Sequence, residues 1–293
     1  MSAAESTPPI HLVECPRDAM QGWPHQISTA DKILYLNQLL KVGFDTLDFG
    51  SFVSPKAIPQ MADTAEVLAG LDLTETRTLL LAIVANQRGA ETACSFAPIR
   101  YLGFPFSISP TFQRLNANND LEGSFQLLTS MQETCVRHEK ELVVYISMAF
   151  GNPYADPYHA DLVAEWVERI AQLGVHIISL ADTVGLATTE QVYEITRNTM
   201  LANTTTTIGV HLHATESGWR EKLDAAYRAG CRRYDGAIKG IGGCPMAGNA
   251  LVGNMNTAWM LDYFTFKNET LLLNKDAFQV AERLADRIFH GIG

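Results

Sequence analysis

The sequence is poor in paired cysteine, in basic charge and in long apolar runs, and each shortage excludes a class of protein. Its five cysteines, Cys15, Cys94, Cys135, Cys231 and Cys244, are odd in number and form no CxxC pair. That argues against a disulfide framework and a structural zinc site, and it fits a reducing compartment. Lys and Arg total 22 against 32 Asp and Glu, a formal net charge of -10, and the densest basic cluster is only Arg232-Arg233 near Lys239. A polyanion binder needs a basic stripe to release counterions, so no nucleic-acid partner is expected and the acidity reads as solubility. No apolar run approaches the ~18 residues that cross a bilayer; the longest aliphatic patches, such as 78–84, are strand-sized, so no membrane partner is expected. Residues 1–10 contain no basic residue and no apolar h-region, which fits neither a signal peptide nor a transit peptide. The expected location is cytoplasmic, with a processed organellar protein as the alternative.

What is present is enough apolar residue for a globular core: 47% hydrophobic against 18% charged over 293 residues. About 150 residues per domain would give two domains, yet α/β barrels fill about 250 as one unit, so periodicity must decide. Short β-branched or aliphatic runs alternate with amphipathic stretches. Strands are expected at 11–14, 46–49, 78–85, 100–104, 142–148, 175–180, 206–212 and 234–238. Between them, Ser28-Thr29-Ala30-Asp31 opens a helix with Ile33, Leu34, Leu36, Leu39 and Leu40 on one face and Gly43 at its end. Helices are also expected at 121–137 and 160–173, and Thr188-Thr189-Glu190-Gln191 reads as a capping box. Eight such units with no linker between them favour an α/β fold, a single (β/α)₈ TIM barrel, over an open doubly wound sheet. One domain is expected over 8–293: a barrel to about 260 and a short C-terminal helical extension, 261–293, that packs on the barrel wall.

A barrel of this type carries its active site at the C-terminal strand ends. Chemically capable residues collect there. His211 and His213, two apart on a strand, point to one face. That is either metal-ligand geometry or a pair of satisfied histidines, and Asp18 and Asp182, also at strand ends, favour the ligand reading. With no converging thiolates, magnesium or manganese is at least as plausible as zinc. Arg17 beside Asp18 is either a structural clamp or, with Asp18 on the metal, the cation that stabilises an enolate oxygen. Cys244, in Gly242-Gly243-Cys244-Pro245, is either a small buried hydrophobe or a loop thiol placed to move a proton. Asn254 offers an amide oxygen as a further ligand, and Cys94, Cys135 and Cys231 read as packing residues.

The segments Pro16-Arg17-Asp18 with Gln21, Ser51-Phe52-Val53-Ser54-Pro55-Lys56, Ser179 to Gly185, His211-Leu212-His213 and Gly242-Gly243-Cys244-Pro245 together resemble the 3-hydroxy-3-methylglutaryl-CoA lyase family, within the metal-dependent carbon-carbon lyase and synthase barrels. The resemblance runs from about residue 11 to residue 254. It implies Asp18, His211, His213 and Asn254 as ligands of Mg²⁺ or Mn²⁺, Arg17, Asp18, Asp182 and Cys244 as catalytic residues, an acyl-CoA substrate and a homodimer. Gln21, Asp48, Ser51, Asn86, Ser147, Ser179 and Thr183 are the expected substrate-binding residues; Asp48 falls where the family has a glutamate. The reaction implied is retro-Claisen cleavage to acetyl-CoA and acetoacetate, with Asp18 or a histidine beside it as base and Cys244 protonating the enolate. The rivals are a lyase for another 3-hydroxyacyl-CoA, a citramalate-type synthase, and a non-catalytic CoA- or metal-binding barrel.

The chain also departs from the family. Cys15-Pro16-Arg17-Asp18-Ala19-Met20-Gln21-Gly22 replaces Gly-Pro-Arg-Asp-Gly-Leu-Gln-Asn, and the basic residue that commonly follows is missing from 22–26. The strand-one glutamate is displaced by one residue to Glu14. An odd shift reverses the face of a strand, which leaves open whether Glu14 reaches the site.

Overall fold

The computed structural model describes residues 8–243 and 252–290. Eight parallel strands close into a barrel in chain order: β1 His11–Glu14, β2 Thr46–Ser51, β3 Leu79–Ile83, β4 Ile99–Ser107, β5 Glu141–Ser147, β6 Ile177–Ala181, β7 Thr207–His211 and β8 Arg233–Gly236. The helices are α1 Pro16–Gln21, α2 Thr29–Val42, α3 Thr64–Ala69, α4 Gln87–Cys94, α5 Pro110–Ala117, α6 Leu121–Arg137, α7 Ala160–Ala171, α8 Thr189–Ala202, α9 Trp219–Ala229, α10 Thr257–Phe266 and α11 Lys275–His290. This is the expected TIM barrel. Ser28 caps α2, which stops at a left-handed Gly43, and the capping box at Thr188 and Gln191 is formed on α8. Strand β4 extends past the expected 104 to Ser107 and leads into α5, capped by Ser109 with Pro110 in its first turn.

Strand parity divides the core in two. Even-numbered residues such as Leu12, Leu80, Val144, Ile178 and Val210 pack under the helices. Inside the barrel, Leu81, Ile83, Val143 and Tyr145 form a separate apolar cluster. Polar groups also occupy the interior. Arg233 and Asp235, two apart on β8, share a face and are joined by an Nη1 to Oδ1 contact of 2.8 Å. Gly209 lies opposite Arg233 in register, and a Cβ there would sit 3.1 Å from the Arg233 carbonyl oxygen and 3.2 Å from its side chain. Glycine on β7 is what makes room for an arginine in the barrel.

Parity also settles Glu14. It points outward into the helix layer, where one carboxylate oxygen accepts from the Ile238 backbone N–H (2.8 Å) and the other from the Thr257 hydroxyl (2.6 Å). The extension packs back on the wall: Phe289 of α11 meets Trp23 and Tyr35 edge-on at 5.1 and 6.2 Å. Burying that ring contributes about 1.5–3 kcal/mol. Among the described residues no helix is long and apolar enough to cross a membrane.

Candidate active site and metal centre

A cavity of about 510 Å³ opens at the C-terminal ends of the strands. Asp18, Arg17 and Gln21 reach it because α1 begins directly after β1, with Pro16 setting the first helical φ. Both oxygens of the Asp18 carboxylate are engaged, with acceptor capacity left on Oδ2: Oδ1 accepts from Arg17 Nη1 (3.0 Å) and Gln21 Nε2 (2.9 Å), and Oδ2 accepts from Asn254 Nδ2 (2.7 Å). Burial works to raise its pKa, but the Arg17 guanidinium and the neighbouring histidines outweigh it and hold the carboxyl at about 2. Asp18 is therefore a carboxylate at neutral pH.

His213 bridges to Asn254 across an isolated antiparallel contact, which brings the segment after β8 over the end of β7. His213 Nδ1 and Asn254 Oδ1 are both buried and neither makes a well-formed hydrogen bond among the described residues, although the two side chains are close enough to interact weakly with each other. Each orphaned atom costs about 1–3 kcal/mol unless something else satisfies it. Burial, reinforced by His211, pushes the His213 pKa down to about 3, so its imidazole is neutral and able to ligate. Gly242 lets the chain pass over this cluster: its φ is +106°, and a Cβ would lie 2.5 Å from Asn254 Nδ2. The two orphaned atoms, with the Asp18 carboxylate and the His211 imidazole, fit a divalent ion that prefers oxygen and nitrogen donors.

Behind His211 stands Asp235, whose Oδ2 is 3.4 Å from His211 Nδ1. Burial depresses the His211 pKa, and the Asp235 carboxylate more than reverses that, leaving it raised. Cys15, His211 and Asp235 have ligand atoms within 4.8 Å of one another. Asp235, however, is already held by Arg233 and by the Ser179 hydroxyl at 3.4 Å. The trio acts as a support for the His211 ring, a carboxylate behind an imidazole, in preference to a second ion site.

Arg17 grips Asp48 through Nε (3.0 and 3.2 Å) and Nη2, and Asp18 through Nη1. A guanidinium has five N–H groups, so one on each terminal nitrogen is left for a ligand. Burial pushes the Asp48 carboxyl up to about 6 despite the pull of Arg17. Gln21, Asp48, Ser147 and Thr183 line the cavity with Arg17, Asp18, His211 and His213.

Five expected site residues among those described are not in that lining: Ser51, Asn86, Ser179, Asp182 and Asn254, the last reaching the cluster through its Nδ2 donation to Asp18 Oδ2. The Ser51 hydroxyl donates to the Ile83 carbonyl, and Asn86 caps α4 by accepting from Gly89 N–H at 2.9 Å. Ser179 faces Asp235, and Asp182 accepts from Lys222 Nζ at 2.7 Å and from Ala187 N–H. Lys222 also donates to the His213 carbonyl oxygen at 3.0 Å, so the pair holds the metal-site backbone from behind. Burial raises the Asp182 pKa against the pull of Lys222. Cys244 lies outside the described residues. Lys222, Arg233 and Asp235 were not anticipated from sequence, although Arg233-x-Asp235 on a strand carries the period-two signal that could have found the last two.

The chain is similar to known proteins. The HMGL-like family model matches residues 11–268. A hydroxymethylglutaryl-CoA lyase of Bacillus subtilis (strain 168) is 31% identical over 88% of this chain and 86% of its own. A 3-hydroxy-3-isohexenylglutaryl-CoA/hydroxymethylglutaryl-CoA lyase of Pseudomonas aeruginosa is 32% identical over 84% and 81%. An (R)-citramalyl-CoA lyase of Chloroflexus aurantiacus is 31% identical over 85% and 81%. Among solved structures, an HMG-CoA lyase from Acinetobacter baumannii in complex with coenzyme A and 3-methylmalate superposes with a TM-score of 0.88 at 30% identity, covering 99% of this chain and 93% of that one. With the closed barrel and the donor set at its mouth, these matches mean that the chain belongs to the HMGL-like family of lyases.

Proposed function

We propose that this protein cleaves 3-hydroxy-3-methylglutaryl-CoA to acetyl-CoA and acetoacetate in a retro-Claisen reaction. The observation that carries the reading is the pair of orphaned buried atoms, His213 Nδ1 and Asn254 Oδ1, beside an ionised Asp18. Asp18, His211, His213 and Asn254 would hold Mg²⁺ or Mn²⁺. When bound, that ion supplies Lewis acidity to a chelated substrate hydroxyl. The chain does the rest. The hydroxyl proton passes to the Asp18 and histidine cluster; the C2–C3 bond breaks, and the electron pair moves into the thioester as an enolate. Arg17, with two N–H groups to spare, offsets the charge on the enolate oxygen. Cys244 is the proposed thiol that returns a proton to C2, and Asp182, tied to Lys222, is the proposed anchor of His213. Asp48 orients Arg17; Gln21, Ser147 and Thr183 are the proposed substrate contacts. A cytoplasmic homodimer is part of the same reading.

The test is a coupled assay of acetoacetate from 3-hydroxy-3-methylglutaryl-CoA on chelator-treated protein, with and without added Mg²⁺ or Mn²⁺. Acetoacetate that appears only with metal supports the reading. Cleavage of (R)-citramalyl-CoA alone, or no thioester cleavage at all, overturns it.

A further inference from the structure

We infer that, besides the methyl-branched substrate, the cavity accepts and favours 3-hydroxyacyl-CoA thioesters whose C3 bears a longer apolar branch. This rests on the lyase reading and deepens it to a substrate class. The donors Asp18, His211, His213 and Asn254 sit at the ends of β1, β7 and β8. In a closed barrel of that strand order, the ends of β3 and β4 lie across the mouth from β7 and β8. The facing wall is built by Val53, Ile58, Ile83, Pro105, Phe112 and Leu115, from β3, β4 and the segments after β2 and β4. A substrate held by its C3 hydroxyl at the donors extends its C3 substituents toward that wall.

The wall is hydrocarbon. Among the described residues, the side chains on this side able to hydrogen-bond are Asn116 and, at its β5 edge, the Tyr145 hydroxyl, and the cavity's one lysine or arginine is Arg17, already shared between Asp48 and Asp18. A carboxylate placed there would be desolvated without a cation, and a pantetheine arm would bury amides without partners. An alkyl or alkenyl branch meets neither cost. At the rim, Leu115 is 53% exposed, and a branch of several carbons would cover it.

The experiment measures kcat/KM for 3-hydroxy-3-methylglutaryl-CoA and for homologues with ethyl, butyl and hexyl at C3, in the wild type and in Leu115→Asp, by release of free CoA. Wild type is expected to gain about fourfold per methylene until the wall is covered. In Leu115→Asp the ratio of butyl to methyl substrate should fall about tenfold. Efficient cleavage of the methyl substrate with a decline along the series overturns the inference and leaves the lyase reading standing. An equal loss on every substrate in Leu115→Asp places the CoA arm on the wall and also overturns it. Failure to cleave any of these thioesters removes the lyase reading, and the inference with it.

Discussion

The two halves of the barrel mouth are made of opposite materials. On the β7, β8 and β1 side, every carboxylate and imidazole is held by a neighbour or left orphaned at the donor cluster, and the supports, Asp235 and Lys222, lie behind the ligands. On the β3 to β5 side the interior holds a small apolar cluster, Leu81, Ile83, Val143 and Tyr145, continued upward by Phe112 and Leu115. The Tyr145 hydroxyl lies beside Arg233 at the border yet makes no well-formed hydrogen bond. The contrast separates two jobs. On the proposed reading, charge and fixed geometry would serve bond cleavage, while the apolar half would set what is attached to the carbon that is cleaved.

The sharpest way to break this division is to remove charge from the polar half. Asp18→Asn keeps the size and one acceptor but deletes the carboxylate that Arg17, Gln21 and Asn254 all address. Loss of a charged metal ligand should lower kcat/KM roughly 10³-fold. Mn²⁺ titration by calorimetry should show binding weakened in parallel. A variant that kept tight Mn²⁺ binding would remove Asp18 from the donor set.

A smaller effect is expected one layer back. Asp235 touches no cavity space, and its link to the chemistry runs through His211 Nδ1. Asp235→Asn should weaken Mn²⁺ affinity by roughly 10–100-fold, as loss of a carboxylate behind a metal-bound histidine does. Unchanged Mn²⁺ affinity in a folded Asp235→Asn protein would mean that the His211 ring is oriented by something else.

Much of the polar half was legible in the sequence because its candidate donors come in short local patterns. His211-x-His213 follows strand parity, and Arg17-Asp18 follows β1 directly. Residues that matter through distant partners were not legible. Lys222 is on α9, and nothing local says that it bonds Asp182 and the His213 carbonyl oxygen. Asn86 and Ser51 show the reverse effect: these polar residues at strand ends look like substrate contacts in the sequence, but local backbone groups engage them in the fold, Gly89 N–H for Asn86 and the Ile83 carbonyl for Ser51. The apolar wall was invisible for a different reason. Val53, Pro105 and Leu115 look like any loop, strand or helix residue until the closed barrel sets them opposite the donors.

The smallest activity effect, and the clearest separation of wall from site, is expected at Glu14. It lies on the polar side of the barrel in sequence, four residues before Asp18, yet strand parity turns it into the helix layer. Burial pushes its pKa from 4.5 up to about 8, against the hydrogen bonds from Thr257 and Ile238. The folded protein therefore keeps a proton that the unfolded chain releases near its ordinary value. By linkage, the group costs nothing below about pH 4.5, and stability falls by about 1.4 kcal/mol per pH unit between the two values, with no further loss from this group above about pH 8. Glu14→Gln cannot ionise and should remove that slope. Urea unfolding at pH 5, 7 and 9 should show the variant gaining on wild type as pH rises, while kcat/KM at pH 7 stays within about twofold, the range expected when no cavity contact changes. Parallel pH profiles would mean that the Glu14 carboxyl ionises freely in the folded wall, and a large loss of turnover would return Glu14 to the site from which its parity excludes it.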